Sequence, residues 1–247
     1  MNKILERFGR ARVLLPVIHC MSEEQVARNI GTALSNGTDG VFLINQGGLD
    51  AKAVFRLGTW YADGHFTARA RTPGDALAGG FLGVNLLGVD LPTVRQAFFS
   101  SPLEGLWVDN AEGDEPLRYN PKIHPTQIYF GGVAFKYQPE VSPARYAEVV
   151  KRARERGVDV ITTSGPATGT PPTVEKIQAL AEAAQHEAVP LAIASGITPA
   201  NVALFLPFAH AFLVASGIEE RFGQLDPVRV GLLADAIHAY TPEGTTP

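Results

Sequence analysis

PLAIASGITPANVALFLPFAHAFLVASGIE, residues 190–219, contains two short apolar runs, PLAIAS (190–195) and AFLVAS (211–216), and each passes into a Ser-Gly turn. Runs this short and apolar, bounded by turn residues, fit buried strands better than helices. Between them TPANVALFL has a helical pattern, with Thr198 placed to cap a helix starting at Pro199. Strand, helix and strand in so short a span make a βαβ unit, whose strands lie parallel.

The same alternation extends toward the N-terminus. VLLPVIH (13–19), GVFLIN (40–45), FLGVNLL (81–87), GLWVD (105–109), IYFGGVAFK (128–136) and VDVITTS (158–164) bring the apolar runs to eight. SEEQVARNIGTALSNG follows the first, with Ser22 as N-cap and Val26, Ile30, Ala33 and Leu34 forming one apolar stripe. PTVRQAFFS, SPARYAEVVKRARERG, PTVEKIQALAEAAQHE and DPVRVGLLADAIHAY supply helical patterns after other runs. The runs lack the alternation of a half-exposed sheet, so both their faces are covered. Eight units predict an α/β fold, a closed (β/α)8 TIM barrel over about residues 13–240 in a single domain. An open doubly wound sheet is the rival, and the polar tail 241–247 is expected to fray.

Two connections, 46–80 and 110–127, exceed the usual strand-to-helix link. The second, NAEGDEPLRYNPKIHPTQ, follows the fourth strand and is expected to cover the barrel mouth as a lid.

Composition narrows the function classes. With 21 Lys+Arg against 25 Asp+Glu, the chain has no cationic excess with which to grip a nucleic acid backbone, so no nucleic-acid partner is expected. A hydrophobic content of 45% is too high for a disordered chain. The lone Cys20 rules out an intrachain disulfide and fits a reducing compartment, so a cytoplasmic location is expected. MNKILERFGRARVLLPVIH offers too short an apolar run for a signal peptide or membrane span, and no membrane insertion is expected.

In a barrel of this kind the active site lies at the C-terminal ends of the strands. Those ends are polar here: His19 and Cys20, Asn45 and Gln46, Asn85, Asp109 and Asn110, Lys136 and Tyr137, Thr163 and Ser164, Ser195, and Ser216. Ser195-Gly196 and Ser216-Gly217 follow the seventh and eighth strands, where barrels often hold phosphate on glycine-lined amides and a short helix N-terminus. They read either as such an anion site or as tight turns alone. TSGPATGTPP (163–172) brings Thr163, Ser164 and Thr168 alongside as further donors, or merely starts the next helix.

Lys136 reads as a cation for a substrate phosphate or carboxylate, as a Schiff-base amine if desolvated, or as a salt-bridge partner of Asp109. Asp109 reads as a general base or hydroxyl acceptor, or as a solvated loop carboxylate. His19 serves in acid/base work or packs as a satisfied histidine. Asn45, Asn85 and Tyr137 are expected substrate contacts. Trp60 and Trp107 read as packing, and nothing marks Cys20 as a nucleophile. Glu112, Asp114 and Glu115 lack the spacing of a calcium loop, and His65, His124, His186, His210 and His238 show no ligand spacing. No metal site and no cofactor are expected, with a divalent metal left open.

LGVNLLGVD (82–90), TSGPATGTPPTVEKIQAL (163–180), SGITPANV (195–202), FLVASGIE (212–219) and LDPVRV (225–230) together resemble the BtpA family of barrel proteins, named for a role in photosystem I assembly. The resemblance runs from about Leu14 to about Tyr240 and implies a phosphate-binding barrel with the anion at Ser195, Gly196, Ser216 and Gly217. The chain departs from that pattern in three places. Phe135-Lys136-Tyr137 stands where the family has Val-Lys-His, Glu219 stands where a lysine is usual, and LINQGG after the second strand lacks the family's acidic loop. Glu219 is expected to weaken a charge-based clamp and leave phosphate to the backbone amides.

The residues point to an enzyme acting on a small phosphorylated metabolite, such as a phosphoribosyl compound or nucleotide, by isomerase, lyase or glycosyl- or phosphoribosyl-transfer chemistry. The alternatives are a noncatalytic assembly protein of the BtpA type and a Schiff-base aldolase built on Lys136. A homo-oligomer is expected of a barrel this size, although no stretch marks its interface.

Overall fold

The computed structural model describes residues 2–65, 80–111 and 126–241. Strands β1 (Val13–His19), β2 (Gly40–Ile44), β3 (Phe81–Asn85), β4 (Gly105–Val108), β5 (Ile128–Gly132), β6 (Val160–Thr163), β7 (Leu191–Ala194) and β8 (Ala211–Val214) form a closed parallel barrel in sequence order. β8 returns to β1, pairing Ala211 with Val13. The TIM barrel expected from the alternating runs is the observed architecture.

The runs are apolar throughout because alternate side chains enter two different dry cores. Val13, Leu15 and Val17 of β1 join Phe42, Phe81, Trp107 and Phe130 inside the barrel. Leu14, Ile18, Val41, Leu43 and Val84 point outward, against the helices. The inner core is lopsided. Phe42 meets Trp107 and Phe130 edge-on at centroid separations of 6.0 and 5.2 Å, and a Cβ at Gly83 or Gly105 would overlap the Phe42 or Phe81 ring. β7 and β8 contribute the small Ala192, Ala194 and Ala211 instead.

Around the barrel lie α2 (Glu23–Ser35), α3 (Ala51–Trp60), α4 (Leu91–Phe99), α5 (Tyr146–Glu155), α6 (Val174–His186) and α7 (Pro227–His238), after a short N-terminal α1 (Lys3–Phe8). Ser22, Asp50, Asp90, Thr173 and Asp226 each accept a backbone N–H as N-caps. Among the described residues no helix is long and apolar enough to cross a membrane.

Several elements differ from expectation, each for a local reason. α1 was not foreseen; it puts Ile4 and Phe8 against the inner core. α3 lies within the long connection 46–80, to which no helix had been assigned. The run 128–136 is strand only as far as Gly132, after which Ala134 and Tyr137 take positive φ values of 48° and 60° and the chain turns away. TPANVALFL forms no α-helix: Asn201 accepts the Thr198 N–H at 2.8 Å and donates to Gly196 O at 2.9 Å, and only a 3-10 turn, Val202–Leu204, follows. Asn side chains that bond nearby backbone compete with the helix in this way. After β8 a small antiparallel hairpin, β9 (Glu219–Arg221) with β10 (Gln224–Leu225), precedes α7. The expected lid falls largely on 112–125, outside the described residues, as do Glu112, Asp114, Glu115, His124 and the tail from 242.

Candidate active site

At the C-terminal ends of the strands a pocket is lined by His19, Gln46, Trp107, Lys136, Ser195 and Ser216, among others. Its lining joins the small Ala194 and Ala215 to Trp107, one of the inner-core rings.

Lys136 reaches this pocket from the turn after β5 rather than from a strand end. Its backbone N–H donates to Ser164 Oγ at 2.8 Å, Thr163 Oγ1 donates to Ala134 O at 3.2 Å, and Lys176 Nζ donates to Ala134 O and Ser164 O at 2.6 and 2.7 Å. The turn is thereby fastened to β6 and α6. Lys136 Nζ lies 5.6 Å from the Phe135 ring centre. Burial lowers the Lys136 pKa, opposed by the charge of Asp109. Burial also raises the Asp109 pKa, opposed by the hydrogen bond from Asn85 Nδ2 at 2.9 Å and by the charge of Lys136. Both shifts bring the neutral amine and the neutral acid within easier reach, as proton transfer requires.

His19 is fixed from the far end of the chain. Its Nδ1 lies 2.9 Å from Glu219 Oε1, with both side chains 5% exposed. The same oxygen accepts the Gly223 N–H at 3.0 Å, so Nδ1 is the donor. Phe222 stacks on the imidazole at 4.6 Å and 22°. The hairpin that carries both residues is clamped by α2: Gln25 Nε2 and Asn29 Nδ2 donate to Gly223 O, and Leu225 N–H donates to Asn29 Oδ1 at 3.2 Å. Arg229 Nη1 holds the Glu219 carbonyl at 2.7 Å. Glu219, expected only to weaken a phosphate clamp, is the histidine's partner.

The loops after β6, β7 and β8 interlock through glycine. A Cβ on Gly165 or Gly196 would overlap the Thr170–Pro171 backbone, and one on Gly217 would overlap Ile197 O. The tight-turn role is therefore present, yet it leaves donors over. The backbone N–H groups of Gly196, Ser216 and Gly217 meet no acceptor among the described residues. Ser195 holds a φ of 118°, a strained value for a residue with a Cβ, and its Oγ donates to Ala167 O at 3.1 Å. A concave turn with successive free amides is an anion-binding shape. It lacks the helix N-terminus expected from Pro199.

Other residues singled out in the sequence have structural partners. Asn45 Nδ2 donates to Leu87 O at 3.0 Å, and its Oδ1 accepts the Leu87 N–H at 2.6 Å. Tyr137, 74% exposed, sets its hydroxyl 3.3 Å from Thr168 Oγ1 and accepts the Thr168 N–H, bridging two loops at the rim. Cys20 is buried, and its thiol pKa is pushed up to about 12. Among the described residues no three His, Cys, Asp or Glu side chains gather to hold a metal. Sequence reasoning missed Glu219, Phe222 and Lys176. A buried ionisable residue is unusual without a partner, but its burial is invisible until the fold is known.

No family model matches the chain. The photosystem I biogenesis protein BtpA of Synechocystis sp. is 30% identical over 139 residues, which span 54% of this chain and 47% of that protein, so the match takes in about half of the relative's length. Among solved structures, the phosphoribosyl anthranilate isomerase of Thermus thermophilus superposes with a TM-score of 0.56 at 14% identity, covering 92% of this chain and 98% of that one. The 3-dehydroquinate dehydratase of Geobacillus kaustophilus gives 0.62 at 10% identity, covering 93% and 92%. These likenesses establish a shared TIM-barrel fold.

Proposed function

We propose that the chain is an enzyme acting on a small phosphorylated metabolite. The observation that carries this reading is the pair of unpaired N–H groups of Gly196 and Ser216, on residues that line a pocket together with Lys136 and His19, with the unpaired Gly217 N–H next in the chain. The amides take the phosphate, Lys136 and Asp109 address the reacting end, and His19 accepts or returns a proton through Nε2. A fold shared with a phosphoribosyl anthranilate isomerase agrees with such a substrate. The test is two-part. Phosphate esters should raise the melting temperature and move the amide resonances of Gly196 and Gly217, and Lys136→Ala and Asp109→Asn should abolish turnover of a stabilising ester in folded protein. Silent amides together with wild-type turnover in both variants would end this assignment.

Two other readings each rest on one observation. The partial match to BtpA favours an accessory protein without catalysis, for which no phosphate ester would stabilise the fold. The lowered pKa of Lys136 favours a Schiff-base aldolase, exposed by a borohydride-trapped carbonyl adduct at that residue.

A further inference from the structure

His19 continues the inward-facing series of β1, two residues beyond Val17, and is 4% exposed. Glu219 Oε1 accepts both its Nδ1–H, at 2.9 Å, and the Gly223 N–H, at 3.0 Å. An oxygen that receives a backbone N–H has only acceptance to offer the ring, so the proton of the neutral imidazole is held on Nδ1 and Nε2 carries a lone pair. No group among the described residues donates to Nε2. The unpaired side-chain atoms sealed from solvent include Trp107 Nε1 and Thr162 Oγ1 but not this nitrogen, and His19 lines the cavity at the mouth. The lone pair of a buried ring is therefore open to that cavity. Phe222 stacks on one face of the ring at 4.6 Å and closes that face to water. A buried polar group left unpaired asks for an explanation, and a ligand that pairs it is one.

The state of the ring decides what the ligand presents. Nε2 so held is an acceptor, and it has nothing to offer phosphate or carbonyl oxygens, which are acceptors too. Its partner is a donor. An ammonium group would donate, but Lys136 lines the same cavity, and its charge opposes a second cation there. A neutral donor remains, and in a small phosphate ester that is a hydroxyl.

We propose that Glu219 is a positioning residue that fixes His19 as an acceptor, and that Nε2 receives a hydroxyl of the ligand. The inference rests on the phosphate reading for its ligand class and deepens it: the substrate is a phosphorylated alcohol with a free hydroxyl. That hydroxyl lies on the β1 side of the cavity, and the phosphate lies on the turns after β7 and β8. β1 is the barrel neighbour of β8, so a short chain of atoms joins the two positions.

The experiment uses the 15N-labelled full chain at pH 8, with His19→Gln picking out the His19 ring signals among six histidines. The free chain should show a protonated Nδ1 and a bare Nε2. The probes are glycerol 3-phosphate, propyl phosphate, which has the same carbon chain and no hydroxyl, and glycerol, which has no phosphate. The Nε2 resonance should move upfield with glycerol 3-phosphate, as a bare nitrogen does on accepting a hydrogen bond, and stay in place with propyl phosphate. Glycerol 3-phosphate should bind about tenfold tighter than propyl phosphate, the ratio expected for one hydrogen bond. Glu219→Ala should let the proton populate Nε2 and cut that ratio by about threefold or more. Glu219→Gln, which keeps an acceptor for Nδ1–H, should restore both the bare Nε2 and the ratio, a rescue that separates positioning from support of the fold. The Gly196 and Gly217 amides in the same spectra report the phosphate separately and should move with both esters. Movement of Nε2 with glycerol, while those amides stay silent with both esters, would remove the phosphate and keep the hydroxyl site. A protonated Nε2 in the free chain, an equal response to propyl phosphate, or a resonance unmoved by glycerol 3-phosphate and by glycerol overturns the inference.

Discussion

Lys136 and Asp109 each stand under two opposed influences, with burial favouring the neutral form of both and each charge restraining the shift of the other. Asp109→Asn removes the restraint on the amine, so the Lys136 pKa should fall further and amine-directed acylation at a fixed pH should quicken, read by mass mapping of the modified lysine. An unchanged or slower rate would show that the two charges do not interact. Cys20 has no such partner, and burial holds its thiol at about 12. It should resist disulfide reagents at pH 8 in the folded chain and react at once in urea. The placement of these residues was legible, since all strands of a parallel barrel end at one face and their closing residues are known once the strands are. Their partners were not. Ser164 and Thr163 look like free donors in the sequence, but they fasten the Lys136 turn, and Asn45 spends both its polar atoms on Leu87. A side chain's hydrogen bonds depend on loops that run tens of residues away.

The hairpin β9–β10 exists as an element because α2, α7 and β1 hold it. Its strands are three and two residues long, far below what pairs alone in water. Glu219 ties it to His19, so Glu219→Ala leaves the imidazole and the Gly223 N–H without their acceptor. The expected loss is about 1–3 kcal/mol, measured by urea unfolding. Glu219→Gln, which keeps an acceptor oxygen, should recover most of it. The glycine loops make a second such element. Gly217→Ala drives a methyl into Ile197 O, and an overpacking cost of roughly 1–3 kcal/mol follows; a glycine variant there therefore tests the fold before it tests any ligand. The eight strands were legible from runs that stay apolar across both faces. The hairpin was not, because EERFGQL carries neither alternation nor an apolar stripe, and its contacts to α2 join residues nearly 200 positions apart. The helix read into TPANVALFL failed through one asparagine whose bonds to the backbone outweigh a good pattern.

On the scale of the molecule, closure of the barrel links stability to pH through His210. Its Nδ1 accepts the Leu191 N–H at 3.3 Å at the start of β7, a bond open only to the unprotonated nitrogen. Burial first, and Arg12 second, lower its pKa from 6.5 to about 4. Above the unfolded value neither state holds the proton. Between the two values the unfolded chain binds it and the folded chain does not, so stability should fall as pH drops through that window, by at most about 3 kcal/mol before solvent screening. Urea midpoints taken across it should decline in the wild-type chain and flatten in His210→Gln. A midpoint that holds steady would show His210 to be protonated at no cost. At the other end of the barrel the unpaired amides of Gly196, Ser216 and Gly217 have a consequence for the chain's life in a cell. On the phosphate reading proposed above, a ligand that paired them would bind the folded state alone, and the unfolded fraction would shrink by the factor one plus ligand over Kd. Proteases act on that fraction, so the steady-state amount of the protein would rise and fall with supply of its ligand, without any change in its synthesis.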